Sequence, residues 1–321
     1  MCIRDRAFFS YFRISLSVKV RDDDIFFSVL IYLFTKSLKQ SFKFIRKGCM
    51  ILDGKMVSQE IKKDLIKDVI DLKKYNIIPS LAIILVGHRE ESQIYVNMKR
   101  RMCEEIGIKM ILFHFEEDVP EGMITDKIEE LNSDLGTYSI LIQLPLPEQF
   151  DTENIIDKIS YEKDADGFHT LNAGKLFQNR GDSVKACTPL GCILLLDYYH
   201  IDVHGMNVTV IGTSNLVGLP LSMLLLQRGA TVTMCNINTK DVKEHTLKSD
   251  LIVTCCGSPH LVKEYWVKEG VIIVDVGINK IKDESKKNGY RLVGGVDFEG
   301  VKDKCSFITP VPGGIGPMTV I

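Results

Sequence analysis

Val208-Thr209-Val210-Ile211-Gly212-Thr213-Ser214-Asn215-Leu216-Val217-Gly218 is the stretch that decides the fold. Its apolar, β-branched start, Val208 to Ile211, has the composition of a buried strand. A helix follows over Leu216 to Gln227, starting near Val217, and a second strand covers Thr231 to Cys235. The loop Gly212 to Gly218 thus sits where a doubly wound fold turns backbone N–H groups and a helix N-terminus toward phosphate. The spacing departs from G-x-G-x-x-G, because Ser214 stands in the second glycine's place. A plain strand-to-helix turn is the competing reading, and the strand, loop, helix and strand context favours a nucleotide. No acid closes the second strand, where Cys235-Asn236-Ile237-Asn238 stands, so nothing there would bind the ribose hydroxyls of NAD. That leans the coenzyme to NADP. No arginine is present to pair a 2′-phosphate, so NAD stays open.

Downstream, Leu251 to Thr254, Val271 to Val276 and Phe307 to Ile308 supply further strands of a Rossmann-like half. Upstream, Val57, Ile61, Leu65 and Val69 recur at helical spacing and the pattern ends near Lys74. Leu81 to Val86 is a continuous apolar strand of the doubly covered kind. A helix over Ser92 to Ile106, a strand over Lys109 to Phe115, a helix over Glu121 to Leu131 and a strand over Ser139 to Gln143 follow. Pro145 to Pro189 is loop-rich, and a helix over Leu190 to Tyr199 leads into the second half. Repeated αβ units predict parallel sheets. The fold class is α/β: an N-terminal αβ parallel-sheet domain over 50–188, a C-terminal Rossmann-like dinucleotide-binding domain over 189–321, and a cleft between them.

A chain of 321 residues is long enough for about two domains with cores of their own. At 45% hydrophobic, 26% charged and a formal net charge of -2, it carries no electrostatic footprint for nucleic acid. Nine scattered cysteines, an odd number without zinc-type spacing, fit reduced core thiols in a reducing compartment and no metal site. The apolar run Ile25 to Phe34 is too short to span a bilayer, and Asp22-Asp23-Asp24 sits where a signal peptide needs positive charge. Arg4, Arg6, Arg13, Lys19 and Arg21 suit an organellar presequence. The alternative is an upstream translated or artefactual segment, with the regular pattern starting at Met50.

Polar residues gather in the first half. Ser92, Tyr95 and Lys99 lie at i, i+3 and i+7, on one face of a single helix. A solvated helix face would look the same. Gln143 closes a buried strand, where α/β ligands collect, and Asp164 and Asp166 flank a turn at Gly167. Near the end, Thr309-Pro310-Val311-Pro312-Gly313-Gly314-Ile315-Gly316-Pro317-Met318-Thr319 reads as a shaped loop that lets a ligand approach the main chain.

Together these segments resemble the bifunctional methylenetetrahydrofolate dehydrogenase/cyclohydrolase family of the FolD type. The resemblance runs in family order from Ile51-Leu52-Asp53-Gly54-Lys55 through Ser92 to Lys99, Gln143-Leu144-Pro145-Leu146-Pro147 and Asp164 to His169. It continues through Cys187-Thr188-Pro189, Gly212 to Gly218, Asp275 to Asn279, Gly295 to Phe298 and the proline-glycine loop. It implies a homodimeric, cytoplasmic enzyme, or a mitochondrial one if residues 1–49 are a presequence. That enzyme oxidises 5,10-methylenetetrahydrofolate with NADP⁺ and hydrolyses the methenyl product to 10-formyltetrahydrofolate, a formyl donor suited to purine biosynthesis. The resemblance implies a central acid–base role for Lys99, stacking by Tyr95 on the folate, Gln143 holding Lys99, and Asp166 binding the pterin edge. Ser92, Pro310, Pro312, Gly313, Gly314 and Gly316 are then substrate-binding residues. Gly212, Thr213, Ser214, Val217, Gly218, Gly277 and Ile278 are coenzyme-binding.

General chemistry agrees. A cationic substrate in a dry site favours proton exchange by a neighbouring lysine, and a carboxylate suits paired N–H donors. Two departures stand out. Many family members carry arginine where Thr213 stands and His-Ser where Asn236-Ile237 stands, and the family continues past Ile321 into a closing helix. The first favours a NAD-preferring dehydrogenase with weak cyclohydrolase as an alternative. The second favours a catalytically silent folate- or nucleotide-binding module.

Overall fold

The structure is a computed structural model and describes residues 48–286 and 288–321. The readings made of residues 1–47, including the Ile25 to Phe34 run, lie outside the described residues. Strand β1 (Met50–Ile51) comes first, then helix α1 (Gly54–Lys74), whose first turn is capped by Asp53 Oδ1 accepting from the Met56 N–H at 2.9 Å. Strand β2 (Ser80–Val86), helix α2 (Glu90–Ile106), strand β3 (Lys109–Phe115), helix α3 (Glu121–Ser133) and strand β4 (Ser139–Ile142) follow. The three strands β2 to β4 form a parallel sheet in the order β3-β2-β4. Its central strand is apolar on both faces because both are covered. Ala82, Ile84 and Val86 pack with Ile124 and Ile128 of α3, while Ile83 and Leu85 pack with Val96 of α2.

The stretch expected to be loop-rich contains two short helices, α4 (Thr152–Asp157) and α5 (Thr170–Phe177), and helix α6 (Cys187–Tyr198) begins earlier than Leu190. Both short helices rest on caps rather than on a long apolar period. Asp151 accepts from the Asn154 N–H at 3.1 Å, and His169 Nδ1 accepts from the Leu171 N–H at 2.9 Å.

The second half comprises β5 (Asn207–Ile211), α7 (Gly218–Gln227), β6 (Thr231–Cys235), α8 (Val242–Lys248), β7 (Leu251–Thr254) and β8 (Val271–Asp275). An antiparallel hairpin, β9 (Asn279–Lys282) with β10 (Tyr290–Val293), stands outside the main sheet. Helix α9 (Phe298–Val301), strand β11 (Cys305–Ile308) and helix α10 (Ile315–Val320) complete the described chain. The main sheet is parallel, in the order β1-β11-β8-β7-β5-β6.

Two further features differ from the sequence reading. Strand β1, expected within the first unit, pairs with β11 (Met50 opposite Phe307, Ile51 opposite Ile308) and so belongs to the second sheet. Leu52 and Val57 accordingly lie in one core with Ile193, Leu221 and Ile315. A two-residue strand has no periodicity to read. The run Thr309 to Thr319, expected as loop throughout, becomes helix from Ile315. Pro317 falls in that helix's first turn, where a missing N–H removes no intrahelical bond. No helix among the described residues is long and apolar enough to cross a membrane.

Candidate active site

The polar residues of the first half converge at the C-terminal end of the three-stranded sheet. Gln143 follows β4, its N–H donating to Ile84 O at 2.8 Å, and its side chain is buried. Gln143 Nε2 donates to Leu144 O at 2.9 Å, which leaves Oε1 to accept from Lys99 Nζ at 3.3 Å. Lys99 is half-buried on α2; Ser92, one face of the same helix, is only 3% exposed, while Tyr95 between them is 41% exposed. Ser92 therefore forms part of the helix's buried base, and Tyr95 presents a ring to the outside.

The two aspartates of the Asp164 to His169 turn have different tasks. Asp164 is buried, and its oxygens accept from the N–H groups of Gly167 (3.0 Å) and His169 (2.9 Å) and from Asn172 Nδ2 (3.0 Å). Its acceptor capacity is spent on the turn. Asp166 has the Cys187 thiol at 3.8 Å. Burial pushes the Asp166 carboxyl above the usual carboxylate range; the Lys99 charge pulls it back, and the Asp164 charge adds to the rise. Burial likewise pushes the Cys187 thiol up, with the Asp166 charge adding to it, so it is a neutral donor rather than a nucleophile.

The proline-glycine loop is pinned from the chain's other end. Lys55 N–H donates to Gly313 O at 3.1 Å, and a Cβ on Gly54 would stand 1.8 Å from Gly314 O. The Asp53-Gly54-Lys55 turn thus supports Pro310 to Gly314, including Pro312, whose peptide with Val311 is cis, as is Leu144–Pro145. Gly316 lies past the loop, in α10, where a Cβ would come within 3.8 Å of Ile278 Cδ1.

The Gly212 to Gly218 turn is built from backbone. Gly212 has φ +112°, and a Cβ there would stand 2.6 Å from Cys255 O. A Cβ on Gly218 would stand 1.9 Å from Gly212 O, so this close turn requires glycine. Ser214 Oγ accepts from the Val217 N–H at 3.2 Å, and Ser214 O accepts from Leu219 at 3.1 Å. Thr213 is half-buried and Ser214 exposed, ahead of the α7 N-terminus. This close-packed cradle at a helix start fits a dinucleotide pyrophosphate. Gly277 is buried behind β8, and Ile278 is 50% exposed. After β6, Asn236 Oδ1 accepts from the Asn238 N–H and the Asn236 N–H donates to Thr239 Oγ1, a compact exposed turn.

Sequence reasoning missed three parts of the site. Asp275 is 3% exposed and gathers Thr254 Oγ1 (2.6 Å) and the N–H groups of Gly277, Gly295 and Val296. Burial raises its pKa, and those four donors pull it back down. The quoted Asp275-Val276-Gly277 motif contained the signal, an acid immediately before a glycine turn at a strand's end. The hairpin β9–β10 was also missed; it borders a groove with Pro312. Third, Lys280 Nζ meets Glu91 Oε1 at 2.9 Å, an exposed ion pair joining the hairpin to α2 across the two halves.

Comparison with known proteins covers both halves. Residues 52–166 match the catalytic domain of tetrahydrofolate dehydrogenase/cyclohydrolase, and residues 186–321 match its NAD(P)-binding domain. The chain is 48% identical over 272 residues to the bifunctional protein FolD of Aquifex aeolicus, covering 84% of this chain and 91% of that protein. The crystal structure of the FolD methylenetetrahydrofolate dehydrogenase/cyclohydrolase from Campylobacter jejuni aligns with a TM-score of 0.82 at 44% identity, covering 85% of this chain and 94% of that one. The Trypanosoma brucei enzyme, solved with NADP cofactor and inhibitor, aligns with a TM-score of 0.81 at 34% identity, with the same coverage of both chains.

Proposed function

This chain belongs to the tetrahydrofolate dehydrogenase/cyclohydrolase family, and from that premise we propose that it oxidises 5,10-methylenetetrahydrofolate with NADP⁺ and hydrolyses the methenyl product to 10-formyltetrahydrofolate. The observation that carries this reading is Lys99, held by Gln143 at 3.3 Å with its charge acting on Asp166. A silent binding module has no use for a lysine so placed.

Bound coenzyme supplies the hydride acceptor. Thr213, Ser214 and Gly218 would hold its phosphates on backbone N–H groups, with Gly212 and Val217 shaping the turn beneath them and Gly277 and Ile278 along the nicotinamide side. Asp166 would accept from the pterin N–H pair, and Tyr95 would stack on the folate ring. Pro310, Pro312, Gly313 and Gly314 would bring the main chain against the substrate, with Gly316 beneath them and Ser92 bracing α2. Positioning dominates the first reaction. In the second, Lys99 Nζ would manage the proton of the water that attacks the methenyl carbon, with Gln143 fixing the amine's direction.

The preference for NADP⁺ over NAD⁺ is supported by the lack of an acid at the end of β6 and by the NADP complex of the Trypanosoma brucei relative. A homodimer is supported by the β6 edge of the main sheet, flanked by exposed Leu226 and Met234. The product suits formyl transfer in purine biosynthesis. The eight described cysteines are free thiols, in keeping with a reducing, cytoplasmic setting.

The test is Lys99→Met on protein starting at Met50. Hydrolysis of methenyltetrahydrofolate falls at least about a hundredfold while folate binding persists. Undiminished hydrolysis overturns the assignment. A kcat/KM ratio favouring NAD⁺ overturns the coenzyme preference alone.

A further inference from the structure

We propose that Asp275 is a positioning residue that ties the coenzyme loop to the folate loop, so that the two ligands bind cooperatively. The inference rests on the folate and NADP reading above.

Asp275 ends β8, the strand between β7 and β11. Its Oδ1 accepts from Thr254 Oγ1 at 2.6 Å, from the Gly277 N–H at 3.1 Å and from the Gly295 N–H at 3.0 Å; Oδ2 accepts from the Val296 N–H at 2.9 Å. Both ends of the hairpin excursion are thereby gathered onto one carboxylate. Space at the carboxylate is as tight as its bonding. A Cβ on Gly294 would stand 1.9 Å from Asp275 Oδ2 and 2.9 Å from Val311 Cγ2, in the folate loop.

The main chain of Asp275 makes the second connection. Its N–H donates to Thr309 Oγ1 at 2.7 Å, and Thr309 is 1% exposed. Pro310 to Gly314 begins at the next residue. A Cβ on Gly314 would stand 2.9 Å from Thr309 Cβ and 2.6 Å from Pro310 O, so the loop folds back onto the threonine that holds it. On the other side Gly277 and Ile278 begin just past Asp275. A shift of either loop must carry Asp275 with it or leave a buried polar group without its partner, which a dry interior penalises strongly. Such an element has few arrangements, and a ligand that selects one of them on the coenzyme side prepares the folate side.

Neither Asp275 nor Thr309 need touch a ligand for this to work. A merely structural part for them would weaken each ligand separately and leave their mutual effect alone. Cooperativity is therefore the quantity to measure.

The experiment titrates NADPH fluorescence with and without saturating tetrahydrofolate, which lacks the one-carbon group and does not turn over. In the unaltered protein NADPH binds about tenfold tighter when tetrahydrofolate is present. Thr309→Val brings that ratio to within about twofold of unity, and Thr309→Ser, which keeps the hydroxyl, retains it. Asp275→Asn loses it as well; should that variant not fold, the threonine pair decides alone. A ratio near unity in the unaltered protein, or a full ratio in Thr309→Val, overturns the coupling and leaves the functional reading standing. Failure of either ligand to bind the unaltered protein overturns the functional reading and the coupling with it.

Discussion

The two walls of the cleft are made of different material. The first is a side-chain wall: Lys99 from a helix, Gln143 from a strand's end and Asp166 from a turn converge, each replaceable without rerouting the chain. The second is a main-chain wall, where Gly212, Gly218 and Gly277 pack so closely that added carbon, rather than lost chemistry, is the threat. The contrast separates the two reactions. Under the roles proposed for these residues, hydrolysis would depend on functional groups in the first half, whereas hydride transfer would also depend on the shape of the second.

Substitutions can break this contrast or sharpen it. The largest expected effect is on the main-chain wall. Gly218→Ala places a Cβ 1.9 Å from Gly212 O, against backbone that cannot step aside. NADPH affinity should fall about a hundredfold or more, equivalent to about 3 kcal/mol, while hydrolysis of supplied methenyl substrate stays within about threefold. Equal loss of both activities would show that the walls are not separable.

Asp166→Asn comes next. Under the pterin-binding role proposed for Asp166, losing charge-assisted acceptance of the N–H pair should raise the folate KM about 10- to 100-fold. The same change should stabilise the protein. The folded site holds the Asp166 pKa above its unfolded value, so stability is full below the unfolded pKa and declines as pH rises through the folded one. The cost of the buried charge therefore appears as pH rises through the folded pKa, and the neutral amide removes it. The melting temperature of the variant should gain on that of the unaltered protein as pH rises, by about 2–4 °C per kcal/mol relieved, with the gain vanishing in acid. A melting-temperature difference that does not grow with pH would contradict this.

Gln143→Leu should lower the hydrolytic kcat about tenfold through a misdirected Lys99, leaving NADPH affinity alone, as stopped assays and fluorescence titration would show. The smallest effect concerns the contact between the walls. Glu91→Gln breaks the ion pair with Lys280, whose partners are both more than half exposed. Dehydrogenase kcat/KM should change less than about threefold, and the difference should disappear in about 1 M salt.

Much of this architecture is legible in the residues themselves. Apolar runs such as Leu81 to Val86 and Val208 to Ile211 announce parallel strands because both of their faces must be covered. Lys99 and Gln143 were readable as neighbours only through the resemblance, since no local pattern relates a helix face to a strand end. Other parts were illegible for definite reasons. Strand β1 is too short to carry a period, α4 and α5 depend on single caps, and α10 hides behind glycine and proline. Asp275 looked like one acid in a short motif; its importance comes from Gly295, Val296 and Thr309, which reach it only after folding.

The pairing of β1 with β11 has a consequence for how the molecule comes into being. The segment carrying β1 must wait for one synthesised about 250 residues later before it finds its neighbour, a contact of very long range and slow closure. Severing the chain between the halves would therefore not release two self-sufficient modules. The first would carry an orphaned strand, and the second would show an uncovered sheet edge, open to pairing with other copies.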